Sequence, residues 1–310
     1  MKVSIVTGCD ANYYPLLLEL IASIRQFPES KPVDICVIDA GLSRDQVEAL
    51  ARSCARIVSP EWPAAIPPKR TKGKDYLKAC VCRPFIPKMF PGYDMYVWLD
   101  ADTWVQRWSA IEMFIEAAKK GDRISLTSSA DRAYTKPVRI SWLGNWPIKV
   151  KNFYSSNGRK PFGNSFAKAM VAQYVLSAGC FALTADAPHW KRWQELVVEA
   201  ATKGKLFPAE QLALGKLVHL EGYRAELLPA YTHWLCVCKP RWDAEQKLFV
   251  EPFMPHEPLG VLHLSGVDDL RADRTATTAL ETVTGDKVNL NYRFPGFDGG
   301  RLGRATPERA

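Results

Sequence analysis

Short apolar runs alternate with longer stretches of helical spacing through the first hundred residues. Residues 2–7 (KVSIVT) form a β-rich run that ends in a Gly-Cys-Asp turn. Residues 14–26 (YPLLLELIASIRQ) place apolar side chains at helical spacing, with Pro15 tolerable in the first turn. Residues 33–39 (VDICVID) predict a second buried strand, Gly41 a turn, and Ser43 the cap of a helix over 44–53. A third short strand is expected at 56–58, before a proline-rich loop at 60–68. Residues 75–89 predict a helix kinked at Pro84 or Pro87. Residues 95–99 (MYVWL) are apolar throughout and predict a buried strand. Strands that alternate with helices predict an α/β fold with a mainly parallel sheet, whose ligands sit beyond the carboxyl ends of the strands. Asp10, Asp39 and Asp100 fall at such ends.

The pattern weakens further along. Residues 124–128 predict a strand, but 130–164 are rich in Gly, Pro, Asn and aromatics and predict a long irregular connection of the kind that carries function. Residues 175–184 (VLSAGCFALT) predict a strand pair or one bulged strand, 188–202 and 208–220 predict helices, and 260–266 (GVLHLSG) a late strand and turn. From Arg271 the chain turns polar and predicts a poorly packed tail. The expected organisation is one domain over 1–270 with an insertion at about 130–164, then a tail over 271–310.

Composition narrows the class. The chain has 310 residues, 47% of them hydrophobic and 24% charged, enough for a large core. No apolar run reaches the ~18 residues that span a bilayer. The start reads as a strand rather than a signal segment, so a cytoplasmic location with eight reduced cysteines is expected. The spacing of Cys80 with Cys82, and of Cys236 with Cys238, leaves two readings, buried thiols or a four-thiolate zinc site, and the one-residue gap favours the first. The net charge is +8, which suits a phosphate-bearing substrate or an anionic membrane met peripherally. That charge is scattered apart from the block KRTKGK, residues 69–74, and a basic tail that could touch a membrane surface. No nucleic-acid-binding signature accompanies it, and nothing points to a protein partner.

The run YVWLDADTWV, residues 96–105, carries the most chemistry. Side chains alternate at the strand end, so Asp100 and Asp102 leave on the same side with small Ala101 between them. Two such carboxylates repel unless a cation lies between them, and Mg2+ or Mn2+ takes carboxylate oxygens together with substrate phosphates. The competing reading is a solvated turn with two surface acids.

This run resembles the Asp-x-Asp strand of the family 8 glycosyltransferases, retaining enzymes of the GT-A fold that include lipopolysaccharide galactosyltransferases. CDANYYPLLLELIASI (9–24) resembles the family's donor-binding turn, and VIDAGLS (37–43) its second strand and turn. CRPFIPKMFPGYD (82–94) resembles the segment that carries a basic residue before the Asp-x-Asp strand. LSAGCFAL (176–183), AEQLALG (209–215) and LHLSG (262–266) resemble its Asn-Ala-Gly strand, Asp-Gln-Asp helix start and His-x-x-Gly turn. The segments occur in family order.

The resemblance implies a GT-A fold, a Rossmann-like mainly parallel mixed sheet flanked by helices, with a less regular acceptor side. It implies a hexosyltransferase that moves a sugar from a UDP-sugar to a hydroxyl acceptor, a bacterial cell-surface glycan or lipid-linked saccharide. Asp10, Asn12 and Tyr13 would hold the nucleoside, and Arg83 would sit at the nucleotide or its diphosphate. Asp100 would touch ribose and metal, and Asp100, Asp102 and His263 would hold Mn2+ or Mg2+. Gly179 would admit the donor sugar, Gly266 would form the turn near the diphosphate, and Gln211 with Glu210 would face the anomeric centre. The chain departs from the pattern at Ser177, Glu210, Leu212 and Asp269, and Arg271 could replace the lysine expected at 269. Two other functions remain open on these residues: a catalytically weak or inactive sugar-nucleotide or glycan-binding homologue, and a nucleotidyltransferase. On the acceptor side, Tyr134, Trp142 and Trp146 offer flat faces to sugars, with Lys149 and Lys151 near them in sequence.

Overall fold

A computed structural model describes residues 1–134 and 138–295, together with the strand pairs 297–298 and 301–302. The regular elements follow the apolar pattern of the sequence. The first half holds β1 (Val3–Cys9), α1 (Tyr14–Arg25), β2 (Asp34–Asp39), α2 (Arg44–Leu50), β3 (Arg56–Val58), α3 (Pro68–Thr71), α4 (Lys78–Val81), α5 (Ile86–Met89), β4 (Met95–Leu99), β5 (Thr103–Val105), α6 (Trp108–Ala118) and β6 (Arg123–Ser128). Then come β7 (Arg139–Leu143), β8 (Trp146–Lys151), α7 (Phe153–Ala169), β9 (Leu176–Thr184), α8 (His189–Lys203), α9 (Ala209–His219), β10 (Arg224–Leu228) and β11 (His233–Leu235). The last stretch holds β12 (Arg241–Asp243), β13 (Leu248–Val250), β14 (Val261–His263), α10 (Asp268–Ala272), β15 (Thr278–Glu281) and β16 (Lys287–Leu290).

Seven strands form the central sheet, in the order β10-β6-β9-β4-β1-β2-β3. Every pairing is parallel except those of β9, which runs antiparallel between β4 and β6. Alternation along the strands feeds two cores. Ile5, Val97 and Leu99 pack with α1 and α6 on one face, and Val6, Tyr96 and Trp98 pack with α8 and α9 on the other. A smaller sheet, β11-β14-β5, grows from the end of β4 and carries a third core around Trp104, Trp234 and Leu262. Ser43 caps α2 as expected, accepting from the Gln46 amide while Gln46 Oε1 accepts from the Ser43 amide.

Three expectations change. The helix expected over 75–89 is a string of short turns, because Pro84 and Pro87 cannot donate the backbone hydrogen bonds that would join them. The stretch 130–164 is more regular than its composition predicts, since it contains the β7–β8 hairpin and most of α7. Asn152 caps α7, and Gly163 at φ +87 kinks it two residues after Pro161. Residues 135–137 of that stretch lie outside the described residues.

The expected loose tail is packed as far as Phe294. Leu280, Tyr292 and Phe294 are buried in the third core, and Arg293 pairs with buried Glu19 at 2.6 Å. A few apolar side chains and one buried ion pair hold this segment, which its overall polarity hides. Most of the rest of the tail, including 303–310, lies outside the described residues.

Candidate active site

Beyond the carboxyl ends of β1 and β4 lies one cleft, and the sequence motifs converge on it. Asp10, Tyr13, Arg83, Asp100, Asp102, Gly179, Glu210, Gln211 and His263 all line it, joined by Ser177 and Arg271. Asn12 and Gly266 do not. Asn12 is exposed and donates Nδ2 to Asp10 at 3.0 Å, and Gly266 turns the chain at φ +73 while its neighbour Ser265 reaches the cleft.

Asp100 begins a tight turn after β4. Its amide donates to the Gly179 carbonyl at 2.9 Å, and its carbonyl accepts from the Thr103 amide at 3.0 Å. The chain then enters β5, which pairs with β14 so that Thr103 faces His263 across the ladder. That register brings a residue more than 160 positions away to the acid pair. Nε2 of His263 lies 3.3 Å from Asp102 Oδ1 and 3.8 Å from Asp100 Oδ2. One ligand atom from each of the three residues lies within 4.8 Å of the others, and among the described residues this is the only such group. The CxC pairs form none: Cys82 and Cys236 are buried, Cys80 and Cys238 are partly buried, and all four are free thiols.

Gly179 has a reason the sequence did not show. A Cβ there would lie 2.7 Å from His263 Cε1 and 2.9 Å from Asp100 Oδ2, so the missing side chain is the space these two groups occupy. Oxygen donors from two carboxylates and one imidazole nitrogen make a set that fits a hard divalent cation.

Each charge in the cluster is countered. Arg83, almost fully buried, donates to Asp100, to the Ala178 carbonyl at 2.8 Å and to Glu210 at 3.4 Å, and its guanidinium lies 4.7 Å from the Trp98 ring centre. Arg271 donates to Asp102 Oδ2 at 2.9 Å and lies over the Tyr13 ring. Burial disfavours the charged form of Asp102, but His263 and Arg271 outweigh it and hold the carboxyl well below its usual range. Burial pushes the Asp100 carboxyl up, against the pull of Arg83. It also disfavours the imidazolium of His263, yet the two aspartates raise that group overall. Burial pushes Glu210 up to about 8, with Arg83 pulling the other way. One Glu210 oxygen, Oε1, is buried with no partner.

Sequence reasoning missed His233. It is fully buried, and its Nε2 lies 3.0 Å from His263 Nδ1. Its own Nδ1 faces Thr127 Oγ1 at 3.2 Å and Ser177 Oγ at 3.4 Å. The contact turns Nε2 of His263 toward the acids. A hydrogen-bond partner on the far ring nitrogen fixes the orientation of an imidazole, but the flanking run YTHWL gives no sign that His233 is that partner.

The departures from the family pattern also find places. Leu212 is fully buried against Tyr154 and Met170, away from the cleft. Asp269 is exposed on α10, while Arg271, two residues later, lines the cleft. Gln211 donates to the Leu176 carbonyl at 2.9 Å.

Several solved structures share this fold. The bifunctional glycosyltransferase WbbM, in its apo form, aligns with 86% of the chain at 16% identity and a TM-score of 0.54, and the chain spans 46% of that protein. The galactosyltransferase LgtC, in complex with donor and acceptor sugar analogues, aligns with 85% of the chain at 15% identity and a TM-score of 0.53, over 87% of its own length. An active-site mutant of LgtC aligns over the same shares at 14% identity and a TM-score of 0.52. No curated protein sequence matches the chain. Residues 4–121 match the model of glycosyl transferase family 8. Over that stretch the chain is similar to the family 8 glycosyl transferases. The matched stretch runs from β1 through α6 and contains both acids of the cluster, while His263, Gly179 and Gln211 come from the part beyond it.

Proposed function

We propose that the cleft binds a UDP-sugar with Mn2+ or Mg2+ and transfers the sugar, with retention, to a hydroxyl of a cell-surface glycan or lipid-linked saccharide. The observation that carries this reading is the Asp100–Asp102–His263 group in the cleft of a chain whose residues 4–121 match glycosyl transferase family 8. These three residues would hold the cation, which as a Lewis acid would supply charge neutralisation for a departing diphosphate. Asp10 and Tyr13 stand at the mouth of β1 for the nucleoside. Arg271 offers a cation where phosphate charge develops, in place of a lysine at 269. Gln211, which lines the cleft and donates to the Leu176 carbonyl, would lie beneath the sugar. The acceptor oxygen bonds to carbon 1 of the sugar as the bond to the diphosphate oxygen breaks. The electron pair leaves with the nucleotide, and the hydroxyl proton passes to it.

The same reading includes peripheral contact with an anionic membrane through the β7–β8 hairpin. Trp142, Leu143, Trp146 and Ile148 are 57–78% exposed there, and Arg139, Lys149 and Lys151 carry charge with no acid in the segment. Arg139 pairs with Lys151 and Ser141 with Lys149 on one face, and the tip is apolar. Such an arrangement suits a headgroup layer. Among the described residues no helix is long and apolar enough to cross a membrane.

The test is a panel of labelled UDP-sugars incubated with the protein and Mn2+. Hydrolysis or transfer of a labelled sugar is expected, with a loss of about 10²–10³ in rate in Asp102→Asn. Absence of turnover and of UDP binding across the panel overturns the reading. UDP binding with no turnover identifies a binding homologue instead.

A further inference from the structure

Beside the cleft lies a second cavity, and Tyr76, Leu77 and Phe207 line both. Its distinguishing feature is charge. Lys69, Lys74, Lys160 and Lys205 line it, with no acidic residue among its walls. They come from three parts of the chain: the KRTKGK block, α7, and the turn after α8.

Arg70 shows how the block is held. It donates to the carbonyls of Ala201 and Thr202 at 2.7 Å each, and to that of Gly204, so it fastens the block to the carboxyl end of α8. Lys69 and Lys74 are not used in this way. Among the described residues none of the four lysines has a carboxylate at ion-pair distance, whereas nearby Lys78 and Lys203 pair with Asp75 and Glu199 at 3.0 and 2.8 Å. Four ammonium groups around one hollow repel each other, and an anion seated among them relieves that repulsion. Between the hollow and the cleft stand two unusually exposed rings, Phe207 at 70% and Tyr76 at 47%. Flat apolar faces of that kind suit a sugar ring.

We propose that the acceptor is anionic. Its phosphate or diphosphate group seats among Lys69, Lys74, Lys160 and Lys205, and its saccharide crosses Tyr76 and Phe207 to present a hydroxyl in the cleft. This rests on the glycosyl-transfer reading and names the acceptor class that reading leaves open.

The test compares a hexose carrying a short alkyl diphosphate with the uncharged alkyl hexoside. Direct titration into the protein, without donor, is expected to show binding of the diphosphate at least about tenfold tighter, the sum of several weak exposed ion pairs. The fourfold variant Lys69→Gln/Lys74→Gln/Lys160→Gln/Lys205→Gln is expected to lose that preference, and high salt to erase it in the unmodified protein. UDP titrated in the presence of Mn2+ separates the two sources of phosphate. A fall in UDP affinity as large as the fall for the alkyl diphosphate assigns the lysines to the donor and overturns the proposal. Equal binding of the two hexoses, or a preference that survives in the variant, also overturns it. If UDP fails to bind the unmodified protein while the diphosphate preference holds, the donor reading fails and the anion site stands.

Discussion

The floor of the cleft and the lysine cavity beside it handle charge in opposite ways. On the floor, Asp100, Asp102 and Glu210 are held by Arg83, His263 and Arg271, with most of these side chains buried. In the neighbouring cavity the four lysines are exposed, of one sign and without a carboxylate at ion-pair distance among the described residues. Buried ions must be countered and oriented before any ligand arrives, because their desolvation is costly. Exposed lysines carry little such cost and take their order from the ligand. A single change on the floor should therefore act through the whole cluster. Changes among the lysines should be small, additive and sensitive to salt.

The largest effect is expected from Arg83→Leu. It leaves Asp100 and Glu210 buried without their shared cation, and stability should fall by about 3–5 kcal/mol, as for other broken buried pairs. Urea denaturation reads this directly. A loss below about 1 kcal/mol would mean that the floor behaves like a surface ion pair, and the contrast would fail.

A middle-sized effect concerns pH. Glu210 in the folded protein titrates at about 8, above the ordinary glutamate value of 4.5, because burial favours its neutral form. The folded state thus keeps a proton that the unfolded chain releases. Its contribution to stability is complete below pH 4.5 and is lost as pH rises through 8. Glu210→Gln removes this dependence, so the variant should gain on the parent between pH 5 and 8 by at most about 1.4 kcal/mol per pH unit. Denaturation curves at the two pH values check it, and an unchanged difference between variant and parent removes the claim.

The smallest effect on stability is expected on the exposed side. Replacing Trp142 and Trp146 together by Ser should change unfolding free energy by less than about 0.5 kcal/mol, since neither side chain is packed. Sedimentation with vesicles of anionic phospholipid should nevertheless fall to the level seen with neutral lipid. A large loss of stability would instead mean that the hairpin covers part of the protein itself.

Much of this was readable in the chain. Fully apolar strands such as 95–99 announce a sheet buried on both faces, and Asp100 and Asp102 follow one of them with no intervening element. His263 was legible as the end of a late apolar strand. His233 was not, because its role comes from the pairing of β11 with β14 and not from any local spacing. The lysine cavity was half visible: KRTKGK stands out, but Lys160 and Lys205 join it only through tertiary packing. The helix α7 was hidden by Pro161 and by glycines at 158 and 163, each a poor helix residue. Packing of Tyr154 and Phe166 overrides that local penalty.

Strand β9 is irregular where it borders the cleft. Its partners along β6 shift between Leu126 and Ser128, so residues 177–180 part from that neighbour while Cys180 stays opposite Leu99 of β4. The carbonyl of Ala178 accepts from Arg83, while that of Gly179 accepts from the Asp100 amide and continues the pairing with β4. A slip of one residue would bring the methyl of Ala178 or the thiol of Cys180 to a spot beside His263 and Asp100 that tolerates no Cβ. Deleting a single residue from this strand would leave a folded sheet and still fill the space among Asp100, Asp102 and His263, because the alignment of two strands is here also the bore of a socket.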